Sequence, residues 1–136
     1  MKTLTATEIM SKNVIWVKTG QTLEDLAMLF CEHSITGAPV MDDMGQIAGV
    51  VSRSDIVNYM NATSLRENTK SGDDITVKDI MTPTVFSVSE QSTLLNIIDL
   101  MMEHKVHRLF VMRGKEIVGI ITTGDLLRVT AESLRA

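Results

Sequence analysis

The sequence predicts an α/β protein of the α+β kind, in which two β-α-β-β-α repeats pack sheet to sheet about a pseudo-twofold axis. Three observations lead there. The chain repeats itself: Glu8-Ile9-Met10 returns as Asp79-Ile80-Met81, an offset of 71 residues from Met10 to Met81, and the same offset relates Thr22-Leu23 to Thr93-Leu94 and Glu32-His33 to Glu103-His104. Within each copy, short runs of β-branched residues alternate with segments of helical apolar spacing. Each copy also reaches a glycine, two β-branched residues, a hydroxyl and, three positions later, an aspartate: GVVSRSD at Gly49–Asp55 and GIITTGD at Gly119–Asp125. That pattern is a buried strand running straight into a helix.

In the first copy, Thr5–Met10 reads as a short helical turn and Val14–Val17 as a strand of β-branched and aromatic residues. Thr22 is a candidate N-cap for a helix in which Leu23, Leu26, Ala27, Phe30 and Cys31 recur at helical spacing through His33. Ala38–Met41 and Gln46–Val51 are strands joined by an Asp-Asp-Met-Gly turn, and Ser52 opens a closing helix to about Ala62. The second copy repeats the order with Val85–Val88, Thr93–His104, Leu109–Met112, Ile117–Ile121 and Thr122 to about Ser133, one residue shorter at its hairpin. Residues 1–62 are thus the first repeat, 63–74 (TSLRENTKSGDD from Thr63 to Asp74) an exposed polar connector, and 75–136 the second repeat. A half of this size buries too little surface to stand alone, so the two are expected to share a core.

A net charge of −4 argues against sequence-independent nucleic-acid binding, which needs clustered cations. No apolar run approaches the roughly 18 residues of a membrane span and no secretory segment opens the chain, so a cytoplasmic protein is expected. Cys31 has no disulfide partner and is expected to be a buried thiol; His33, His104 and His107 show no metal-ligand spacing, so no metal is expected. Met28, Met101 and Met102 are expected to fill core space. With no Ser-His-Asp or Cys-His arrangement, metal set or P-loop, the chain is not expected to be an enzyme.

The strand-to-helix junctions hold the candidate chemistry. Unpaired N–H groups and the helix dipole favour an anion there, a hydroxyl can join them, and an aspartate one turn on can accept two hydrogen bonds from a ribose diol. The same spacing is also a capping box, with Ser52 or Thr122 as the cap.

Ile-Met near the start of each copy, Gly-Ala-Pro-Val or His-Arg-Leu-Phe-Val on the second strand, and Gly-apolar-apolar-Ser/Thr-x-x-Asp before the last helix together resemble a tandem pair of cystathionine-β-synthase (CBS) domains, also called a Bateman module, from about Ala6 to Val129. The resemblance implies a regulatory module that binds an adenine nucleotide (AMP, ADP or ATP), S-adenosylmethionine or another adenosyl ligand in clefts between the repeats. It assigns Val50, Ser52, Asp55, Thr84, Val85, Phe86, His107 and Arg108 to a first cleft, and Asn13, Val14, Ile15, Thr36, Gly37, Ile120, Thr122 and Asp125 to a second. The motif aspartate would hold ribose, the motif hydroxyl would meet a phosphate, and adenine would lie against the partner repeat's first strand. VHRLFV resembles the phosphate-contacting segment in the γ subunit of AMP-activated protein kinase. Arg108 supplies a cationic fork that Thr36 and Gly37 lack, so the first cleft is expected to prefer a charged nucleotide. Phe110 replaces the family's usual proline, matched here by Pro39, and either closes part of the pocket or fills the core. The resemblance also implies a homodimer, helped by Leu127 and Leu134, that acts on an effector protein in trans; the alternative is a structural dimerisation module with clefts that bind nothing.

Overall fold

A computed structural model describes residues 3–63 and 75–136; beyond Thr63, the predicted connector lies outside them. The elements run α1 (Ala6–Ile9), β1 (Val17–Lys18), α2 (Leu23–His33), β2 (Gly37–Met41), β3 (Ile47–Ser52), α3 (Arg53–Thr63), α4 (Val77–Ile80), β4 (Ser87–Ser89), α5 (Leu94–His104), β5 (Arg108–Arg113), β6 (Glu116–Thr122) and α6 (Thr123–Arg135). They form two compact units, one of Met1–Val14 with Val85–Ala136 and one of Ile15–Thr84. Each unit takes its leading helix from the other sequence copy.

Each unit holds a three-stranded sheet, β1-β2-β3 or β4-β5-β6, with a parallel first pair and an antiparallel second pair. Both hairpins carry a register shift at the same place, between Val40 and Met41 and between Val111 and Met112. Their turns need a backbone with φ of +78° at Gly45 and +62° at Gly114, which glycine adopts without a Cβ penalty.

The first strands, Val17–Lys18 and Ser87–Ser89, are shorter than the β-branched and aromatic composition of Val14–Val17 and Val85–Val88 predicts. The ladder starts only at Val17 opposite Val40 and at Ser87 opposite Phe110. The unit boundaries fall between Val14 and Ile15 and between Thr84 and Val85, so the residues around them carry the chain from one unit into the other before the ladder begins.

The main helices are capped as their sequences suggest. The Thr22 hydroxyl accepts the Asp25 N–H at 3.1 Å, and that of Thr93 accepts the Asn96 N–H at 3.3 Å. Both helices end in a left-handed residue, Ser34 or Lys105, each with φ of 54°. One stripe of each is buried: Leu26 and Phe30 on α2, Ile97 and Met101 on α5. Burial of each of these side chains contributes roughly 1.5–3 kcal/mol. Leu26 and Phe30 pack with Val17, Ala38, Val40, Val51 and Val77; Ile97 and Met101 pack with Ala6, Ile9, Leu109, Val111, Ile121 and Val129.

The same geometry corrects three expectations. A helix turns about 100° per residue, so Cys31 and Met102 stand about 120° from the centre of their buried stripes and Met28 stands opposite its own. Cys31 is exposed, as are Met28 at 55% and Met102 at 72%; of the three methionines only Met101 fills the core. Phe110 is 1% exposed, which resolves its two alternatives in favour of interior packing.

The short leading helices join their units through backbone pairing as well as packing. Ala6 N–H donates to the Ser92 carbonyl at 2.8 Å and Leu94 N–H to the Leu4 carbonyl at 3.0 Å; in the other unit Val77 N–H donates to Gln21 at 2.8 Å and Leu23 N–H to Ile75 at 3.0 Å. After each helix the chain bonds to the last strand. Ser11 pairs with Ile120 through bonds of 2.9 and 3.0 Å, and Thr82 with Val50 through bonds of 2.9 and 2.8 Å.

Candidate functional site

At the start of α3, the Asp55 carboxylate accepts through Oδ2 from the Ser52 N–H at 2.7 Å and the Ser52 hydroxyl at 3.1 Å, while Ser52 Oγ accepts the Asp55 N–H at 3.3 Å. The start of α6 repeats this within about 0.1 Å: Asp125 Oδ2 accepts from Thr122 N–H at 2.8 Å and Thr122 Oγ1 at 3.2 Å, and Thr122 Oγ1 accepts the Asp125 N–H at 3.3 Å. Both motifs are therefore complete capping boxes. Ligand recognition is not needed to explain their hydroxyls or aspartates locally, yet only one carboxylate oxygen is used. Among the described residues, the hydrogen bonds to Asp55 all reach Oδ2.

The strand next door uses part of each helix N-terminus. Arg53 N–H donates to the Thr36 carbonyl at 2.8 Å and Thr123 N–H to the His107 carbonyl at 3.1 Å. Gly37 stands opposite Ser52 and Arg108 opposite Thr122 in the antiparallel ladders. Directly opposed residues present their side chains to the same sheet face, so Arg108 shares a face with Thr122 as Gly37 does with Ser52. Arg108 is half-buried and His107 exposed.

Of the first residue set, Val50, Ser52, Asp55 and Thr84 belong to the Ile15–Thr84 unit, and Val85, Phe86, His107 and Arg108 to the other. Of the second set, Ile15, Thr36 and Gly37 belong to the Ile15–Thr84 unit, and Asn13, Val14, Ile120, Thr122 and Asp125 to the other. Within the units, the Val50–Thr82 bridge brings the approach to Thr84 alongside the first motif strand, and the Ser11–Ile120 bridge does the same for Asn13 and Val14.

Two neighbours of these residues were not singled out from the sequence. Arg128 Nη2 lies 3.9 Å from Asp125 Oδ1 and donates to the Ile9 carbonyl at 3.0 Å. The spacing of three residues along one helix face was available as a signal. Asn58 occupies the equivalent helix position after Asp55. The other is His104, whose ring stacks on Phe86 with centroids 4.2 Å apart and planes at 24°. A contact between residues so far apart in sequence leaves no local pattern.

The CBS domain model matches residues 6–62 and again residues 77–132. The chain belongs to the CBS domain family. It is a tandem CBS pair, and its relatives include both separate pairs and parts of larger proteins. It is 28% identical over 117 residues to inosine-5′-monophosphate dehydrogenase of Halobacterium salinarum, covering 85% of this chain but only 22% of that enzyme. Among solved structures, CBSX2 in complex with AMP is 30% identical with a TM-score of 0.74, the match covering 94% of this chain and 96% of that one. Hypoxic Response Protein I, solved with two coordinated zinc ions and known as a Mycobacterium tuberculosis protein, is 27% identical with a TM-score of 0.72, over 93% of this chain and 98% of that one.

Among the described residues of this CBS pair, no group of three or more His, Cys, Asp or Glu side chains is placed to hold a metal ion. No described helix is long and apolar enough to cross a membrane.

Proposed function

We propose that this CBS pair is a ligand-sensing regulatory module that binds an adenine nucleotide, with Val50, Ser52, Asp55, Thr84, Val85, Phe86, His107 and Arg108 forming the preferred site. The observation that carries the reading is the duplicated junction in which a fixed aspartate commits one oxygen to its capping box. At Asp55 the other oxygen is left for a ribose hydroxyl. The Ser54 N–H, between two committed neighbours at the start of α3, is a donor suited to an anion. AMP bound to CBSX2 supports the choice of ligand class.

Asn13, Val14, Ile15, Thr36, Gly37, Ile120, Thr122 and Asp125 form the second, weaker site in this proposal. Arg128 beside Asp125 already faces that carboxylate's second oxygen, which adds a reason for the two sites to differ. The module is not catalytic in this reading; it acts as a homodimer on an effector protein. Leu95, Met102, Leu127 and Leu134, between 66% and 82% exposed on α5 and α6, are the apolar surface offered for self-association. Sedimentation that shows only monomer at micromolar concentration contradicts the dimer.

Calorimetric titration with AMP and adenosine tests the sites. Arg108→Ala is expected to weaken AMP by roughly 1.5–3 kcal/mol, the range for a charge-assisted hydrogen bond, and to leave adenosine nearly unchanged. Asp55→Ala weakens both, and Asp125→Ala spares the tight site. Equal loss of the two ligands in Arg108→Ala, or loss of tight binding in Asp125→Ala, refutes the assignment.

A structural dimerisation module is the second reading, favoured by the capping boxes being complete without a ligand. A ligand at 100 times its dissociation constant should stabilise the protein by about 2.7 kcal/mol, so no thermal shift with any adenosine compound decides for this alternative.

A further inference from the structure

We infer that His104 is a positioning residue for ligand binding: its imidazole fixes the ring of Phe86, and through that ring the seat of the adenine base. The inference rests on the proposed role of Phe86 as part of the nucleotide site.

Phe86 is held weakly by its backbone. It precedes β4, and its carbonyl accepts one ladder-like bond, from the Phe110 N–H at 3.1 Å. Its side chain is partly buried against the cluster of Ala6, Ile97, Leu109 and Val111. On that basis alone an aromatic ring can still turn about its first torsion. The stack supplies a further constraint, because His104 lies at a centroid distance of 4.2 Å with planes only 24° apart. Aromatic pairs at this separation contribute beyond simple burial.

His104 is itself well placed to act as a fixed wall. It is the last residue of α5, and Lys105 closes the helix in the left-handed conformation while its N–H donates to the Met101 carbonyl. His104 is therefore carried by a stopped helix end instead of a loop. The first copy differs at this pair: Ile15 and His33 occupy the matching positions, so there the second copy alone has two rings to stack. This asymmetry acts on the base, independently of Arg108, which acts on phosphate.

The test is equilibrium titration of the full chain with AMP and adenosine, using wild type, His104→Ala and His104→Phe, with melting temperature measured on each. His104→Ala is expected to weaken AMP and adenosine by the same factor, about three- to tenfold, with little change in melting temperature because His104 is exposed. His104→Phe restores both affinities, since it keeps a flat ring against Phe86. Unchanged or tighter binding in His104→Ala refutes the inference, the latter because it means the imidazole competes with the base for the Phe86 face. Loss of AMP alone, or failure of His104→Phe to restore binding, also refutes it. If wild type binds neither compound, the nucleotide reading itself falls; if wild type binds and His104→Ala matches it, only the role of His104 falls.

Discussion

Gly49→Ala and Gly119→Ala change the same position in the two copies, and the structure predicts unequal costs. A Cβ at Gly49 would overlap the Thr82 carbonyl oxygen and come within 3.1 Å of the Pro83 Cα, both backbone atoms with nowhere to rotate. The substitution pushes apart the Val50–Thr82 bridge. Its two hydrogen bonds are worth about 1 kcal/mol each, and overpacking adds about 1–3 kcal/mol, giving a loss of roughly 3–5 kcal/mol. At Gly119 the Cβ would overlap the sulfur of Met10, with the Met10 Cγ at 2.7 Å and Cβ at 3.0 Å. A thioether side chain can swing away, so the expected loss is about 1 kcal/mol. For a chain of this size each kcal/mol moves the melting temperature by about 4 °C, so calorimetry should find shifts of about 12–20 °C and about 4 °C. The reasoning is refuted if Gly119→Ala costs as much as Gly49→Ala, or if Gly49→Ala melts within 2 °C of wild type (roughly half a kcal/mol on the same scale).

Cys31 in the folded protein is expected to react fully with a water-soluble thiol reagent without denaturant; protection until unfolding would contradict its exposed position. Arg113 donates to both Glu90 oxygens at 2.9 Å, and these bonds hold the Glu90 carboxyl below the usual carboxylate range. A depressed acid stabilises the fold above its unfolded-state pKa and loses that contribution as pH falls through the lower folded value, so Glu90→Gln should lessen the acid sensitivity seen by circular dichroism below about pH 4.3. Phe110→Ala should cost about 3–5 kcal/mol in denaturant unfolding, as a deeply packed ring would; a loss under 1 kcal/mol would return Phe110 to the pocket wall.

The elements most legible in the sequence were those with local causes. Thr22 announced a cap three residues before the N–H that it accepts, Gly45 and Gly114 marked turns that need positive φ, and the two Gly-x-x-Ser/Thr-x-x-Asp runs showed where strand becomes helix. What failed had distant causes. Val14–Trp16 have strand-like composition, but a strand exists only where another strand runs beside it, and that is settled by Val17 meeting Val40. Cys31 and Met102 belong to apolar runs, and a run does not say how wide the buried stripe is. At the site, the aspartates and hydroxyls were legible as a motif, while Arg128 and the His104–Phe86 stack took their places from the folded geometry. The glycine that opens each motif could be read as part of a strand, but not as the gap through which Thr82 or Met10 passes.

The exchange of leading helices has a consequence for how such a chain can be divided. A polypeptide with one copy alone would carry α1 but not the helix that completes its own sheet's core, and it would leave the Val17, Leu26 and Val51 cluster without its Val77. It could close that core only by borrowing the segment from a second chain and lending its own, a reciprocal swap whose yield depends on dilution. Joining the copies makes the loan internal, at an effective concentration on the order of millimolar, so the fold no longer depends on encounter. Cutting the chain in the connector severs the sequence copies at their natural seam and parts each compact unit from its own leading helix.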